Sequence, residues 1–167
     1  MAVLDILTWP DTRLKERAQP VTVFDDALHA FIADLEETLR AGPGAVGIAA
    51  PQVGCPRRVV IIDASSRKNI SHHGRQVLIN PEITHWEGYA VGREGCLSVP
   101  DYTGNVIRAA CVTVEAQDED GEARTFHMEG FEARLVQHEI DHLDGLLFLD
   151  RLVSRRNDLY RRKQYKT

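Results

Sequence analysis

The stretch His138–His142 reads HEIDH, and it is the most informative part of the sequence. Two histidines four residues apart lie on the same face of an α-helix, so both imidazoles can reach one metal ion. Glu139 projects about 100° away from His138, which keeps its carboxylate close enough to handle protons for a water at that ion. The H-E-x-x-H pattern therefore predicts a helix that carries a metal centre.

The two histidines continue an apolar stripe of the same helix. Phe131, Leu135, His138 and His142 recur at i, i+4, i+7 and i+11, in a helix expected to begin near Gly130. A chance match to the motif would bury two imidazoles without partners, which is unfavourable. The context therefore favours a metal site over two core histidines.

A catalytic metal site also needs a third protein ligand and one open position. Downstream of the motif, residues 143–152 offer only Asp144 and Asp150. Upstream, Cys96 follows a glycine, and its thiolate would bind a soft or borderline metal well. Cys96 alone would be interpreted as an inert buried thiol, but beside the histidine pair it is the best candidate for the third ligand.

A third segment, Gly47–Gly54, reads GIAAPQVG. Its small residues allow the backbone or a substrate to approach closely. Gln52 could donate its side-chain amide to a developing oxyanion. Without the other two segments, this stretch would be interpreted as a tight turn that leads into a strand.

The remaining pattern predicts an α+β fold. An amphipathic helix begins at Asp25 or Asp26 and ends at Gly42. Short β-branched runs follow without intervening helices, which favours an antiparallel or mixed sheet. They are residues 59–62, 77–79 and 112–114, with a hairpin turn at 118–121 that joins 112–117 to 123–128.

Length and composition are consistent with one compact domain over residues 1–167. Three cysteines do not predict a disulfide framework, and no signal peptide or bilayer-spanning apolar run is evident. These observations predict a cytoplasmic protein without membrane association. The net charge of −5 argues against specific DNA binding.

The C-terminal segment Arg151–Thr167 has the opposite charge, with seven basic residues and one acidic residue. We expect it to form a basic helix over about residues 153–164. Such a helix could dock on an acidic partner, or it could be a solvated face of the fold. Charge alone leaves both interpretations open.

The three segments GIAAPQVG, EGCLSVP and QHEIDH together resemble the signature motifs of peptide deformylases, in their order and spacing. The resemblance extends from about Leu7 to the C-terminal segment, which is similar to that of bacterial members ending in a helix. One departure is Ala45, where the family commonly has a glycine. This position carries no catalytic group.

The resemblance implies a metal-dependent hydrolase that removes the formyl group from the N-terminal methionine of nascent polypeptides. Cys96, His138 and His142 would hold one divalent metal, typically Fe²⁺, with Zn²⁺, Ni²⁺ or Co²⁺ as possible occupants. Glu139 would act as general base and then general acid. Gln52 and the backbone N–H of Leu97 would stabilise the oxyanion. The family fold packs the H-E-x-x-H helix on a twisted sheet.

Substrate binding requires an apolar pocket for the methionine side chain. Phe131 and Leu135 precede His138 on its own helical face and are candidate pocket walls, although simple core packing would explain them too. The motifs add four further pocket candidates: Gly47, Ile48, Glu94 and Gly95. Asp141 could orient a ligand or face solvent.

Two other classes of function remain open from the sequence. An endopeptidase of the H-E-x-x-H type would need a downstream ligand, which residues 143–152 do not offer in helical register. A catalytically silent protein that binds nascent chains or ribosomes would not need Glu139, Cys96 and both histidines. The basic C-terminal segment could still bring an active enzyme to the ribosome through electrostatic contacts.

Overall fold

The structure is a computed structural model that describes residues 2–162. Over this range it contains two α-helices, α1 and α2, together with six strands and three short 3₁₀ turns. Their bounds are, for the helices, α1 Asp26–Ala41 and α2 Gly130–Leu143; for the strands, β1 Gly47–Ala49, β2 Val59–Asp63, β3 Arg75–Cys96, β4 Val99–Gln117, β5 Ala123–Glu129 and β6 Leu159–Arg161; and for the turns, Thr12–Lys15, Ala50–Val53 and Phe148–Arg151.

All six strands form one antiparallel sheet. Its order is β1-β2-β3-β4-β5, and β6 pairs with the first part of β4. The turn before β5 is closed by Asp118 Oδ1, which accepts hydrogen bonds from the backbone of Asp120 and Glu122, and Gly121 has φ +84°. The predicted α+β class, the antiparallel sheet and the hairpin at 118–121 are therefore confirmed.

Strands β3 and β4 are far longer than the apolar runs that predicted them. They have 22 and 19 residues and pair along most of their length. The outer half of β3 is exposed on both faces, so hydrophobic alternation cannot reveal it. The long ladder of backbone hydrogen bonds between β3 and β4 places Cys96 where β3 turns into β4.

Helix α1 forms where its amphipathic pattern predicts it. The Asp25 side chain accepts a hydrogen bond from Leu28 N and caps the first turn. The buried face packs against β1 and β2, with Ile48 and Ile61 fully buried in the same cluster. Its burial stabilises the sheet edge from which β1 leads into the turn Ala50–Val53.

Helix α2 contains the whole H-E-x-x-H motif. It begins at Gly130, whose φ of +57° lets the chain leave β5 and enter the helix directly. Its apolar residues, among them Val136 and Leu143, pack in a second cluster with Val60 and Val114 of the sheet. Neither α-helix in the described range is long and apolar enough to cross a membrane.

The prediction of a basic helix over residues 153–164 is wrong for its described part. Residues 155–157 form a turn, and Leu159–Arg161 is strand β6. Asn105 explains the difference, because its backbone N–H and side-chain amide both donate to Asp158, at 2.9 Å each. The segment thus pairs with the open edge of β4 as a strand. Residues 163–164 of the predicted helix lie outside the described range.

Candidate active site

Three elements bring the predicted site residues together. Cys96 ends β3, His138, Glu139 and His142 lie on α2, and Gln52 lies in the turn after β1. The packing of each of these three elements fixes where its site residues lie. Residues that are distant in sequence therefore meet beside one cleft.

Cys96, His138 and His142 form a group that can hold a metal ion. One ligand atom from each lies within 4.8 Å of the other two, and Cys96 Sγ lies 3.4 Å from His142 Nε2. Both histidines are buried, and burial, followed by the charge of His138, lowers the pKa of His142 well below its ordinary value. A neutral imidazole and a sulfur at this spacing are suitable ligands for a transition metal. The donor set therefore fits the metal that the motif predicts.

Glu94 fixes the orientation of His138. Its Oε1 accepts a hydrogen bond from His138 Nδ1 at 2.8 Å, which leaves Nε2 as the available nitrogen of that ring. Burial lowers the pKa of His138, but its contacts with Cys96 and Glu94 outweigh this and raise it. Glu94 thus orients a predicted metal ligand, a role that the sequence did not assign to it.

A buried ion network surrounds this contact. Arg108 donates two hydrogen bonds to Glu94, at 2.8 and 2.9 Å, and a third to Asp141 at 2.5 Å. Arg134 also donates a hydrogen bond to Glu94, at 2.7 Å, and Arg151 contacts Asp141. Burial raises the pKa of Glu94, but the bonds from Arg108 and His138 reverse this and hold it well below its ordinary value. Asp141 therefore does not face solvent, and its carboxylate accepts hydrogen bonds from Arg108 and Arg151.

Glu139 is buried beside the metal-capable group and is free to react. Its Oε1 has no hydrogen-bond partner within residues 2–162 and lies 3.8 Å from His142 Nε2. Burial raises the pKa of Glu139 to about 7. A Cβ at position 47 would lie 2.5 Å from Glu139 Oε2, so the close approach of β1 requires Gly47. A carboxylate with a raised pKa and an unused oxygen suits proton transfer.

The amide of Gln52 is oriented by three contacts. Its Oε1 accepts a hydrogen bond from Ala49 N at 2.9 Å. Its Nε2 donates to Ser98 Oγ at 3.0 Å and lies 3.4 Å from Cys96 Sγ. The Gln52 amide nitrogen is therefore directed toward Ser98 and toward Cys96 of the metal-capable group.

A cleft of about 400 Å³ opens onto Cys96, His138 and Glu139. Five of the predicted pocket residues line it, together with Leu97; they are Gly47, Glu94, Gly95, Phe131 and Leu135. Ile48 does not line it, because strand alternation turns this side chain into the core behind β1, where it is fully buried. Ala45 also lines the cleft, and it does not have the positive φ that glycine favours.

Arg108 is the main site residue that sequence reasoning missed. On β4 it shares the inward-facing parity of Val106, Val112 and Val114, all of which are buried. An arginine at an inward position of an otherwise apolar strand requires a buried carboxylate. That signal was present in the sequence and would have indicated a partner such as Glu94.

Known proteins resemble this chain over nearly its whole length. The family model described as polypeptide deformylase matches residues 3–158. The chain belongs to the polypeptide deformylase family. A peptide deformylase from Acidobacterium capsulatum is 45% identical over 98% of this chain and 94% of its own, and one from Heliobacterium modesticaldum is 48% identical over 92% and 97%. The crystal structure of a peptide deformylase from Legionella pneumophila has a TM-score of 0.84 at 41% identity, covering 92% of this chain and 88% of its own.

Peptide deformylases are metal-dependent hydrolases, and the chain has their fold. Their substrates are nascent polypeptides that begin with formylmethionine. Cys96, His138 and Glu139 line one cleft of this deformylase fold, and His142 completes the metal-capable group beside it.

Proposed function

We propose that Cys96, His138 and His142 hold one divalent metal and that Glu139 performs the proton transfers that release formate from formylmethionine. The observation that supports this proposal is that Cys96, His138 and His142 form one metal-capable group, with Glu139 Oε1 3.8 Å from His142 Nε2 and a cleft open to Cys96, His138 and Glu139. A divalent ion supplies Lewis acidity there, which lowers the pKa of water and polarises a carbonyl.

The protein's own residues would then perform two separate tasks, proton transfer and stabilisation of the oxyanion. Glu139 accepts a proton from the attacking water and later donates it to the departing amine, which its pKa near 7 allows in both directions. Gln52 Nε2 and the backbone N–H of Leu97 donate to the oxygen that becomes negative as the formyl carbon turns tetrahedral. The anchoring of Gln52 through Ala49 means that little reorganisation is needed during the reaction.

The methionine side chain would occupy the apolar part of the cleft. Phe131 and Leu135 supply its wall, and Gly95 allows a peptide backbone to lie close beside Cys96. Such a pocket discriminates between side chains by about 1–3 kcal/mol. We therefore expect methionine and similarly long apolar residues to be accepted at the first position.

We propose Fe²⁺ as the metal in the cell, with Zn²⁺, Ni²⁺ and Co²⁺ as alternatives. One thiolate and two imidazoles do not distinguish these ions by ligand type, so availability decides between them. A thiolate also makes a ferrous site sensitive to oxidation. Elemental analysis after anaerobic purification will identify the ion.

The decisive experiment combines metal content with deformylation of a formyl-Met peptide. Cys96→Ser should lose metal and activity, whereas the matched Cys111→Ser, at an exposed thiol, should keep both. Equal metal content in both variants would mean that a residue other than Cys96 provides the third ligand. Cleavage of an unformylated protein by the purified enzyme would instead indicate an endopeptidase.

We further propose that residues 1–167 form one catalytic domain that works in the cytoplasm, where formylated chains emerge. The match of the family model to residues 3–158 supports the single domain. The substrate itself supports the location, because nascent chains leave the ribosome in that compartment.

Ribosome docking through the basic segment is a separate proposal. Arg155 and Arg156 are exposed in the turn before β6, where phosphate groups could reach them. Arg155→Glu with Arg156→Glu should reduce co-sedimentation with ribosomes at low salt. Lys15→Glu with Arg17→Glu, an exposed pair elsewhere, is the control. Unchanged co-sedimentation of the first double variant would exclude the docking role.

A further inference from the structure

The mouth of the cleft carries an unusual concentration of arginines. Four guanidinium groups line it: Arg67, Arg93, Arg134 and Arg162. They come from the β2–β3 connection, from β3, from α2 and from the residue after β6, so four separate parts of the chain supply them. Their convergence at one opening does not follow from any local charge run.

The carboxylates of the same cleft neutralise only Arg134 among these four arginines. Glu94 is buried and already accepts hydrogen bonds from Arg108, Arg134 and His138. Glu139 is buried beside the reacting centre. Among the described residues that line the cleft, no further aspartate or glutamate is present.

The other three arginines keep their charge available. Arg67 lies over the Phe131 ring, with Cζ 4.8 Å from the ring centroid. Arg93 lies over the Tyr160 ring at 3.8 Å and donates to the neutral side chain of Asn105. Within residues 2–162, neither forms a salt bridge with a carboxylate, and stacking on an aromatic ring holds a guanidinium in place without neutralising it.

Arg162 lies beside the backbone that leads into Cys96. A Cβ on Gly95 would lie 2.5 Å from Arg162 Nη2, so the guanidinium rests directly on the backbone one residue before Cys96. The Arg162 backbone N–H donates to Asp101 O, and this bond continues the β6–β4 pairing. Because the C-terminal segment pairs with β4 as a strand, the Arg162 guanidinium lies at the cleft.

We infer that this cationic rim makes the enzyme select formyl-Met peptides with acidic residues just after the methionine, and discriminate against lysine or arginine there. The inference rests on the proposed function. A peptide whose methionine occupies the apolar wall must extend its next residues across the mouth, where Arg67, Arg93 and Arg162 would meet them. Carboxylates there form exposed ion pairs, and basic side chains are repelled.

The test compares three peptides on the Fe²⁺-loaded enzyme under anaerobic conditions: formyl-Met-Asp-Asp, formyl-Met-Asn-Asn and formyl-Met-Lys-Lys, each amidated at its C-terminus. At low salt, kcat/KM should fall in that order, by about threefold to tenfold per step, as expected for one or two exposed ion pairs. The difference should arise mainly in KM. It should shrink in 1 M salt, where the Debye length is about 3 Å.

Two variants and a control locate the effect. Arg67→Gln and Arg162→Gln should each bring the Asp-to-Lys ratio of kcat/KM toward one. Arg17→Gln removes the same exposed charge outside the cleft and should leave the ratio unchanged. Equal kcat/KM for the three peptides, or a preference for lysine, would overturn the inference while leaving the deformylase assignment intact. Failure to deformylate any of them would refute the proposed function and this inference with it.

Discussion

The two α-helices differ in what they bury. Helix α1 buries an apolar face and one polar side chain, Thr38, which is hydrogen-bonded to Asp34 O and Leu4 N. Helix α2 is two residues shorter, yet it buries five ionisable side chains: Glu132, His138, Glu139, Asp141 and His142. Burying such groups is unfavourable unless they are paired, so α2 depends on partners from other elements in a way that α1 does not.

The pairing on α2 is incomplete in a specific place. Glu132 is paired with His73, His138 with Glu94 and Asp141 with Arg108. In the described part of the chain, Glu139 Oε1 and His142 Nδ1 lack partners. On α2, therefore, the buried ionisable groups around the candidate site are paired, whereas Glu139 and His142 each keep one atom without a partner. Four experiments, from the largest expected effect to the smallest, test this difference between the helices.

Glu139→Gln should lower kcat/KM on a formyl-Met peptide by about 10²–10⁴-fold, the usual contribution of a positioned general acid–base group. Bound metal should remain, because Glu139 is not a predicted ligand. The matched control is Glu37→Gln on α1, whose Oε2 is also buried without a partner within residues 2–162. A control that loses as much activity, or a Glu139→Gln enzyme that turns over normally, would contradict this difference between the helices.

Leu35→Ala should destabilise the fold by about 2–5 kcal/mol, as measured by urea denaturation, because a fully buried side chain leaves a cavity. Its KM and metal content should stay unchanged. Leu135→Ala on α2 removes a buried side chain that also lines the cleft, so it should raise KM for formyl-Met peptides in addition. If both variants changed KM equally, α1 would be part of the binding site.

Glu94→Gln should weaken metal affinity by about 10–100-fold, the range seen when the partner of a ligating histidine is changed. The amide can still accept from His138, but it removes the charge that balances Arg108 and Arg134. Competition with a chelator measures the affinity. Glu87→Gln, an exposed change on the same strand, is the control and should have no effect.

Much of the fold could be predicted because local signals and tertiary packing agree. The amphipathic period and the Asp25 cap define α1, and the stripe through the two histidines defines α2. The helix predicted for the C-terminal segment is wrong. Its charges and spacing suited a helix, while the open edge of β4 and the Asn105–Asp158 contacts favoured a strand. Edge pairing is a long-range choice that local periodicity cannot reveal.

The candidate site divides in the same way. The grouping of Cys96, His138 and His142 could be predicted because ligand chemistry restricts the residue types and the helix fixes the spacing of the histidines. Glu94 was expected to bind substrate, and only the tertiary structure reveals its bond to His138. The cationic rim was not foreseen, since its arginines come from four separate parts of the chain.

The smallest effect is expected at Glu36, on the exposed side of α1. Its carboxylate pairs with Arg75 and Arg40, and the hydrogen bond from Arg75 lowers its pKa below the ordinary value of 4.5. Glu36→Gln should therefore reduce the free energy of unfolding at pH 7 by less than about 1 kcal/mol, as is usual for a surface ion pair.

The pH dependence of that small difference checks its origin. Because the folded state has the lower pKa, the ion pairs of Glu36 stabilise the fold fully above about pH 4.5. Their contribution is lost as the pH falls through the depressed folded value, where the carboxylate takes up a proton. Urea denaturation of wild type and Glu36→Gln at pH 7 and at pH 3 should show a smaller gap at the lower pH. An equal gap at both pH values, or one as large as that of Leu35→Ala, would mean that α1 depends on its charges as α2 does.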